Sequence, residues 1–530
     1  MNQRNPSGWL ANAALAALAV ALRSPALLGG QAMAVSPAGM PRIGAVDERF
    51  QSFNIEMVEV TGGRFWAPYG KPAGAPAETA PASRLSTPAI DPAAFRARPP
   101  ADLANPRLRR LAAALGPAYV RISGTWANST YFHDSDAPPP PVPPEGFGGV
   151  LTRPQWRGVV EFSRAVDARI VTSFAVSAGV RGADGVWTPR QARKLLEFTR
   201  SIGGRIAAAE LFNEPTMAAM GGAPKGYDAA AYGRDFRAFL AFAKNSAPEM
   251  RILGPGSLGE ATLVAAGNSM LRTEDMLAAA GRGVDAFSYH FYGAVSRRCA
   301  AMSGAPQTTP EAALSEDWLS RTDRDEAFYA ALRDRFEPAK PLWLTETAET
   351  ACGGNPWAAG FIDSLRYLDQ LGRLAKRGVQ VVAHNTLAAS DYGLIGEADL
   401  QPRPNYWSAL LWRRLMGATV LEAGNSPEPA VHLYAHCLRD HPGGVALLAI
   451  NADREASHRL AVPIPSRRYT LAARDLLGAT VALNGRELKT GPDGALPEIA
   501  GEPQPAGEVQ LAPASIAFLA FPDAGNASCR

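Results

Sequence analysis

Short apolar runs alternate with amphipathic stretches between Phe53 and Asn385. Runs of this kind, bounded by turn residues and separated by helical patterns, are typical of strands in a parallel sheet, because parallel neighbours need a crossover connection. Eight of them are predicted to be strands: residues 53–58, 119–123, 169–176, 206–212, 251–255, 284–292, 342–345 and 379–384. Eight strands with interleaved helices predict a (β/α)8 TIM barrel over residues 46–415.

The helical stretches between these strands carry one apolar face. Residues 189–202, for example, place Ala192, Leu195, Leu196 and Phe198 on one side of a helix. A second stretch, residues 361–376, repeats the pattern. In a barrel of this type the functional side chains come from the C-terminal ends of the strands, so catalytic and binding residues are expected there.

After about Leu415 the pattern changes to β-rich runs separated by turn signals, including the hairpin signal Asn484-Gly485. We therefore predict a C-terminal antiparallel β-sandwich over residues 416–530, which a strand from residues 36–50 could join. Residues 137–149 are rich in proline and cannot form regular hydrogen-bonded structure, so they are predicted to be a semi-rigid surface loop after the second strand. Residues 72–81 are similarly loop-like.

The N-terminal segment resembles an export signal. Arg4 precedes an apolar run over residues 9–22, and Ala32-Met33-Ala34 offers a small-x-small cleavage site, which predicts a signal peptide over residues 1–34. The alternative is a membrane anchor, but the run is shorter than the roughly 20 residues that span a bilayer. We expect a secreted or periplasmic protein without stable membrane insertion after cleavage.

The charge balance limits the partners. The 530-residue chain has 53 Lys and Arg against 50 Asp and Glu, a net charge of +3. A nearly neutral protein offers no overall surface for nucleic acid, so an acidic partner would have to be met by a local patch. Four cysteines, Cys299, Cys352, Cys437 and Cys529, allow three disulfide pairings in an oxidising compartment. They contain no CxxC spacing, and no metal site is predicted.

Two glutamates end predicted strands. Glu214, within Asn213-Glu214-Pro215, follows the fourth strand, and Glu346, within Thr345-Glu346-Thr347, ends the seventh. Two carboxyl groups across a barrel mouth are what glycosidic bond hydrolysis needs, because one protonates the leaving oxygen and the other attacks the anomeric carbon or activates water. We predict that Glu214 and Glu346 are catalytic. The neighbouring Glu210, expected to point into the barrel wall or its helices, and Glu349, in the following loop, are predicted to be structural or rim residues.

Further residues near these glutamates could assist. His290-Phe291-Tyr292 ends the sixth strand, between the two glutamates, where a tyrosine hydroxyl could donate to the nucleophile. The alternative role of this tyrosine is packing. Gly353-Gly354 follows Glu346, and its unobstructed amides could hold an anionic group, although glycine pairs are also common in turns.

These residues, taken in order, resemble the heparanase-like β-glucuronidases, family 79 of the glycoside hydrolases. The similarity covers nearly all of the chain after the predicted signal. It is carried by the second strand at residues 119–125, Asn213-Glu214-Pro215, Gly254-Pro255-Gly256 with Glu260, His290-Phe291-Tyr292, Thr345-Glu346-Thr347, Gly353-Gly354, Ala359-Gly360-Phe361, Asp391-Tyr392-Gly393-Leu394 and Asn405-Tyr406-Trp407.

The resemblance implies roles for these residues. Glu214 would be the acid/base and Glu346 the nucleophile, without a cofactor. The residues implied in substrate binding are Glu56, Thr125, Asn213, Glu260, His290, Tyr292, Gly353, Gly354 and Tyr392. Among them, the Gly354 amide and the Tyr392 hydroxyl would contact the uronic carboxylate. The family also supports a Cys437–Cys529 disulfide, and Cys299 and Cys352 could link neighbouring loops.

Two departures from the animal heparanases affect the expected substrate. The loop after the second strand holds only the proline-rich run in place of an excised linker, and residues 256–269 contain no Lys or Arg. Exposed basic residues such as Arg297 or Arg298 would instead bind any sulfate groups of the substrate.

We therefore predict a retaining endo-β-glucuronidase acting on heparan sulfate or a related glucuronate-containing polysaccharide, with no protein partner. The alternatives are an exo-β-glucuronidase of the same family and a glycan-binding protein without catalysis.

Overall fold

The computed structural model describes residues 32–69, 92–263, 270–301 and 306–530. Most of the predicted export signal, the loop at residues 72–81 and part of the 256–269 loop lie outside these residues. Among the described helices, none has the length and apolar character needed to cross a bilayer. The proline-rich residues 137–148 contain no helix or strand, as expected.

Eight parallel strands form a closed barrel, which confirms the predicted fold class. In chain order they are β1 (Gln51–Glu56), β2 (Ala118–Ser123), β3 (Ala168–Ser173), β4 (Ile206–Glu210), β5 (Arg251–Leu258), β6 (Ala286–Phe291), β7 (Leu342–Thr347) and β8 (Val381–His384). Strand β8 pairs with β1 in the register Val382 to Gln51, which closes the barrel. Neighbouring strands follow chain order around the barrel.

One longer helix follows each strand and covers the outside of the barrel. These helices are α1 (Pro106–Ala113), α2 (Arg153–Ala165), α3 (Arg190–Ser201), α4 (Ala229–Ser246), α5 (Thr273–Ala280), α6 (Arg321–Phe336), α7 (Ile362–Lys376) and α8 (Pro404–Leu415). Their N-termini are fixed by local chemistry: the Asn105 side chain accepts from the amides of Arg107 and Leu108 at the start of α1. Helix α2 begins with a capping box formed by Thr152 and Gln155.

The interior of the barrel changes from apolar to polar along its axis. Its lower layer is a cluster of buried residues that includes Tyr119, Val171, Ala208, Leu253, Ala286, Trp343 and Val381. Two residues further along three of these strands stand Arg121, Glu210 and Thr345, all buried. Because side chains alternate along a strand, residues two apart face the same side, so the polar residues lie above the apolar layer toward the C-terminal ends. The fold thus places its buried charges where barrels build active sites.

The C-terminal region contains a larger antiparallel sheet and a smaller mixed sheet, in which Met33–Ala34 pairs parallel with its neighbour. The larger sheet runs in the order Arg42–Ala45, β9 (Met416–Leu421), β10 (Val431–Leu438), β11 (Val445–Asn451), β15 (Ser515–Phe521), β13 (Ser466–Ala472), Ala482–Leu483 and Arg486–Glu487, with Glu502–Gln504 paired to β13. The smaller sheet joins Met33–Ala34, β12 (His458–Val462) and β14 (Gly507–Leu511). A strand from the N-terminal region therefore lies at one edge of each sheet. Met33–Ala34 belongs to the predicted signal peptide, so cleavage after Ala34 would remove this edge strand of the smaller sheet.

The larger sheet is buried on both faces. Along β11, Val445, Leu447 and Ala449 pack in the cluster with the smaller sheet, whereas Leu448 and Ile450 belong to the barrel core. Every residue of β11 is buried as a result. This sheet thus joins the sandwich to the barrel, and polar contacts such as Tyr434 Oη donating to Asp369 Oδ1 at 2.5 Å fix its position against α7.

Two disulfides are present, Cys437–Cys529 and Cys299–Cys352. The first attaches the chain end to β10, as the family resemblance implies. The second joins the loops that follow β6 and β7 at the barrel mouth. Between them they account for all four cysteines.

The Cys437–Cys529 bridge is expected to contribute to stability by restricting the unfolded chain. The loop it closes has a sequence separation of 92. The loop-entropy relation assigns such a closure about 4 to 5 kcal/mol, an upper figure because strain subtracts from it. The Cys437→Ser, Cys529→Ser double variant should therefore have a lower free energy of unfolding in chemical denaturation. Two free thiols at these positions in a non-reducing peptide map would contradict this account.

Candidate active site

Glu214 and Glu346 converge at the C-terminal end of the barrel. One carboxylate oxygen of each and one ring nitrogen of His290 all lie within 4.8 Å of one another. Glu214 follows β4 in a left-handed backbone conformation, with φ of 49°, and starts a short 3-10 turn over Pro215–Met217. Both side chains are nearly enclosed, with 12% of the Glu214 side chain and 7% of the Glu346 side chain exposed. The two carboxyl groups and the His290 ring thus form a small, nearly enclosed pocket.

Arg121 on β2 organises this pocket. Its Nη1 donates to Glu346 Oε2 at 2.8 Å, and its Nη2 donates to Glu210 Oε2 and to Asn213 Oδ1, each at 2.8 Å. The guanidinium is buried, so it needs carboxylate partners to offset the loss of hydration. The charge of Arg121 in turn lowers the pKa of the buried Glu210, against the effect of burial, which raises it.

His290 links Glu214 to Arg121 through its ring. Its Nδ1 lies 3.0 Å from Glu214 Oε1, and its Nε2 lies 3.2 Å from Arg121 Nη2. Arginine can only donate, so Nε2 must accept and Nδ1 must carry the hydrogen that points to Glu214. Burial lowers the pKa of His290 to about 4, which agrees with a neutral ring at physiological pH.

The two glutamates have different electrostatic surroundings. Burial raises the pKa of Glu214 to about 7; Arg121 lowers it in part, and Glu210 raises it. Glu346 instead accepts from Arg121 and from the Tyr292 hydroxyl, whose oxygen lies 2.8 Å from Glu346 Oε1. The site therefore holds one carboxyl group whose pKa is raised and one that is held by two hydrogen-bond donors.

Asn385, after β8, connects the Glu346 side of the pocket to β1. Its Nδ2 lies 3.0 Å from Tyr292 Oη, 3.1 Å from Glu56 Oε1 and 3.2 Å from Tyr392 Oη. Burial and the nearby Glu346 raise the pKa of Glu56 well above its ordinary value. A Cβ at Gly124 would lie 1.4 Å from Glu56 Oε2, so only glycine leaves room for this carboxyl group.

The glycine pair after β7 lies beside Tyr392. Gly353 and Gly354 have φ values of 82° and 80°, in the left-handed region that favours glycine. Within the part of the chain that the structure describes, no acceptor takes either glycine amide or the hydroxyl hydrogen of Tyr392. These three donors are available to a ligand.

The remaining predicted binding residues are placed differently. Thr125 begins the 3-10 turn after β2 and is half-buried. Asn213 is buried against Arg121. Glu260 stays outside the cluster, because its carboxylate accepts from the amide of Thr273 at the start of α5.

Two sequence expectations about charged residues need correction. Glu210 points into the barrel interior at Arg121 instead of into the wall or helices. Glu349 is buried and accepts from the Asn355 amide at 2.8 Å, which is the structural one of the two roles predicted for it. Arg298 is not an exposed base, since 4% of its side chain is exposed and it pairs with Asp391. Arg297 is exposed, as expected.

The Glu214, His290 and Glu346 cluster has a spacing that could hold a cation. However, Arg121 already brings a positive charge to Glu346, and the nitrogen that faces Glu214 carries a hydrogen. We therefore assign no metal to these residues. The expectation that the site needs no cofactor stays a prediction.

Sequence reasoning did not identify Arg121 and Asn385 as parts of the site. Arg121 carried a usable signal, because it interrupts the apolar run Val120-Arg121-Ile122 inside a strand buried on both sides. A charge at such a position requires a buried partner. Asn385 carried no comparable signal in the sequence beyond its place at the end of the eighth strand.

Comparison with known proteins supports the resemblance found in the sequence. No family model matches the chain. The heparanase of Mus musculus is 30% identical over 285 residues, which cover 50% of this chain and 50% of that protein. The baicalin-β-D-glucuronidase of Scutellaria baicalensis is 32% identical over 190 residues, 34% of this chain and 36% of that protein. The resemblance to heparanase-like β-glucuronidases is confirmed. The chain spans about half the length of the mouse heparanase and about a third of the length of the baicalin-β-D-glucuronidase.

A solved structure shows the same fold. The 4-O-α-L-rhamnosyl-β-D-glucuronidase from Fusarium oxysporum 12S has a TM-score of 0.59, with 13% identity over 92% of this chain and 100% of that chain. At this identity the likeness concerns the fold alone. The chain is thus related to glycoside hydrolases in sequence and shares the fold of one.

Replacing Arg121 should destabilise the protein. Arg121→Met leaves Glu210 and Glu346 buried beside each other without a counter-charge, and removing one partner of a buried ion pair costs about 3 to 5 kcal/mol. Chemical denaturation should show this loss, and adding Glu210→Gln to the variant should restore part of it. A loss below about 1 kcal/mol, as for an exposed pair, would contradict the role given to Arg121.

Proposed function

We propose that this chain, a relative of the heparanase-like β-glucuronidases, is a retaining β-glucuronidase that cleaves within heparan sulfate or a related glucuronate-containing polysaccharide. The observation that carries the proposal is the proximity of the two carboxyl groups, since one oxygen of Glu214 and one oxygen of Glu346 lie within 4.8 Å of each other. Retaining glycosidases hold their carboxyl groups about 5 to 5.5 Å apart, whereas inverting enzymes need about 6.5 to 9.5 Å to admit a water. An oxygen pair within 4.8 Å agrees with the shorter separation and favours attack by a carboxylate.

The proposed reaction has two displacement steps. In the first, Glu346 attacks the anomeric carbon while Glu214 gives its proton to the leaving oxygen, so the glycosidic bond breaks and an ester to Glu346 forms. In the second, Glu214 takes a proton from water, whose oxygen attacks the anomeric carbon and releases Glu346. Tyr292 and Arg121 each donate to Glu346, and they hold it in place for attack.

Recognition of glucuronate would use uncharged donors. The carboxylate of the sugar needs hydrogen bonds in a buried site. The amides of Gly353 and Gly354 and the Tyr392 hydroxyl have no acceptor among the described residues. Neutral donors meet the carboxylate without burying a second ion. Arg298 is close by, but its side chain already pairs with Asp391.

A second candidate is exo action on small glucuronides. It is favoured by the similarity to a relative that is named a β-D-glucuronidase of baicalin. The two candidates differ in their products. An endo enzyme shortens heparan sulfate to intermediate lengths from the start, whereas an exo enzyme releases single sugars, so chain-length analysis of early products separates them.

The proposed location is an oxidising compartment, outside the cell or in the periplasm. Both cysteine pairs are disulfide-bonded, and such bonds are rare in the reducing cytosol. The predicted signal peptide agrees with this location.

The two glutamates should respond differently to substitution. Glu346→Gln removes the nucleophile and should abolish turnover of every substrate. Glu214→Gln removes the acid and should lower turnover of polysaccharide by roughly 100-fold to 10,000-fold, while the first step with an activated aryl β-glucuronide proceeds, because its leaving group needs no proton. Steady-state and burst kinetics on both substrates test this. Equal losses on both substrates in Glu214→Gln would contradict the acid role.

The pH profile should report the raised pKa of Glu214. The acid works in its protonated form, which prevails below a pKa of about 7. For an aryl β-glucuronide with a poor leaving group, kcat/KM should fall above about pH 7, by roughly tenfold for each pH unit. The decline should disappear in Glu214→Gln assayed with an activated substrate. A wild-type profile that stays flat to pH 9 would be inconsistent with this assignment.

A further inference from the structure

Arg298 makes a dense set of contacts with the loops of the barrel mouth. Its Nε and Nη2 donate to the Ala67 carbonyl at 3.1 and 2.5 Å, and its Nη1 donates to the carbonyls of Gly354 at 2.6 Å and Cys352 at 3.2 Å. Its Nη2 also pairs with Asp391. The guanidinium lies 3.8 Å from the ring centroid of Tyr69. Every donor of this side chain is therefore committed to the protein, and none is left for a sulfate.

The contact with Cys352 sets the direction of a neighbouring amide. The Cys352 carbonyl accepts from Arg298 and from Ser296 Oγ, which lies 2.9 Å away. In a trans peptide the N–H points opposite to the C=O of the same plane. Holding the Cys352 carbonyl toward Arg298 therefore turns the Gly353 N–H away from it.

The next peptide plane is held in a similar way. The Gly353 carbonyl accepts from Ser390 Oγ at 2.9 Å and from the Asp391 amide at 3.2 Å. This contact turns the Gly354 N–H away from the loop after β8. Asp391 is itself the ion-pair partner of Arg298, so both peptide planes depend on the same pair.

The loop is also closed on its other sides. A Cβ at Gly353 would lie 2.5 Å from Ser390 Oγ, and a Cβ at Gly354 would lie 2.9 Å from the Cβ of Ala358. The disulfide Cys299–Cys352 joins the residue after Arg298 to the residue before Gly353. The two free amides are thus fixed by carbonyl contacts, close packing and a covalent bond.

We propose that Arg298 is a positioning residue for carboxylate recognition: paired with Asp391, it holds the peptide planes of residues 352–354 so that the Gly353 and Gly354 amides face the hexuronate carboxylate. This inference rests on the proposed function and adds the residue that selects a carboxylated sugar over a neutral one. Arg298 acts through the loop and does not touch the substrate.

The test compares two sugars in the full-length protein. The ratio of kcat/KM for an aryl β-glucuronide to that for the matching aryl β-glucoside measures selection for the carboxylate. In Arg298→Met this ratio should fall at least tenfold, mainly through a higher KM for the glucuronide, while kcat/KM for the glucoside stays the same. Tyr392→Phe, which removes a donor directly, should lower the ratio in the same direction.

Control variants separate this role from general stability. Arg96→Met removes another arginine of the mouth, paired with Glu397 at 3.0 Å, and should leave the ratio unchanged. If Arg298→Met does not fold, Ser296→Ala decides instead, because it removes one of the two donors to the Cys352 carbonyl and should lower the ratio to a smaller extent.

The outcomes distinguish the two proposals. A wild-type protein that hydrolyses no glucuronide overturns the proposed function and this inference with it. An active wild type whose ratio is unchanged in folded Arg298→Met, or in Ser296→Ala if the former does not fold, overturns this inference alone. Equal losses on both sugars also overturn it, since they indicate a general structural role.

Discussion

The buried guanidinium of Arg121 is the interaction on which the site depends. It lies inside the barrel above an apolar layer, where a charge is stable only with close partners. Those partners come from strands β4 and β7 and from the turn after β4, and His290 on β6 accepts from the same group. One side chain thus fixes the relative positions of groups that are far apart in the sequence. Arg121 contacts Glu346 directly, and it is connected to Glu214 through His290.

The rest of the fold holds the mouth of the barrel in place around that centre. The large C-terminal sheet is buried between the smaller sheet and the barrel core, so it supports helices α7 and α8 from outside. At the mouth, Arg298, Asp391 and the Cys299–Cys352 bridge connect the loops that follow β6, β7 and β8. Loops are usually the mobile part of a barrel, and these contacts restrict the ones that would meet the substrate.

The sequence predicted the barrel well because strand and helix periodicity are local properties. The eight predicted strands differ from the observed ones by a few residues at their ends, as for β4, predicted over 206–212 and observed over Ile206–Glu210. The two glutamates were found because each ends a strand. Contacts between distant segments were not predicted. Arg298 was expected at the surface, where arginines usually lie. Its partners Asp391 and Ala67 are remote in sequence, so their contacts with Arg298 could not be predicted.

The proposed mechanism requires that Glu346 forms a covalent bond with the sugar. This bond can be detected by mass spectrometry of the protein after incubation with a 2-deoxy-2-fluoro-glucuronyl fluoride, which slows the second step of a retaining reaction more than the first. We expect a mass increase of one fluoroglucuronyl group, located by peptide mapping to Glu346 and absent in Glu346→Gln. Inactivation without a covalent adduct, or an adduct on another residue, would contradict it.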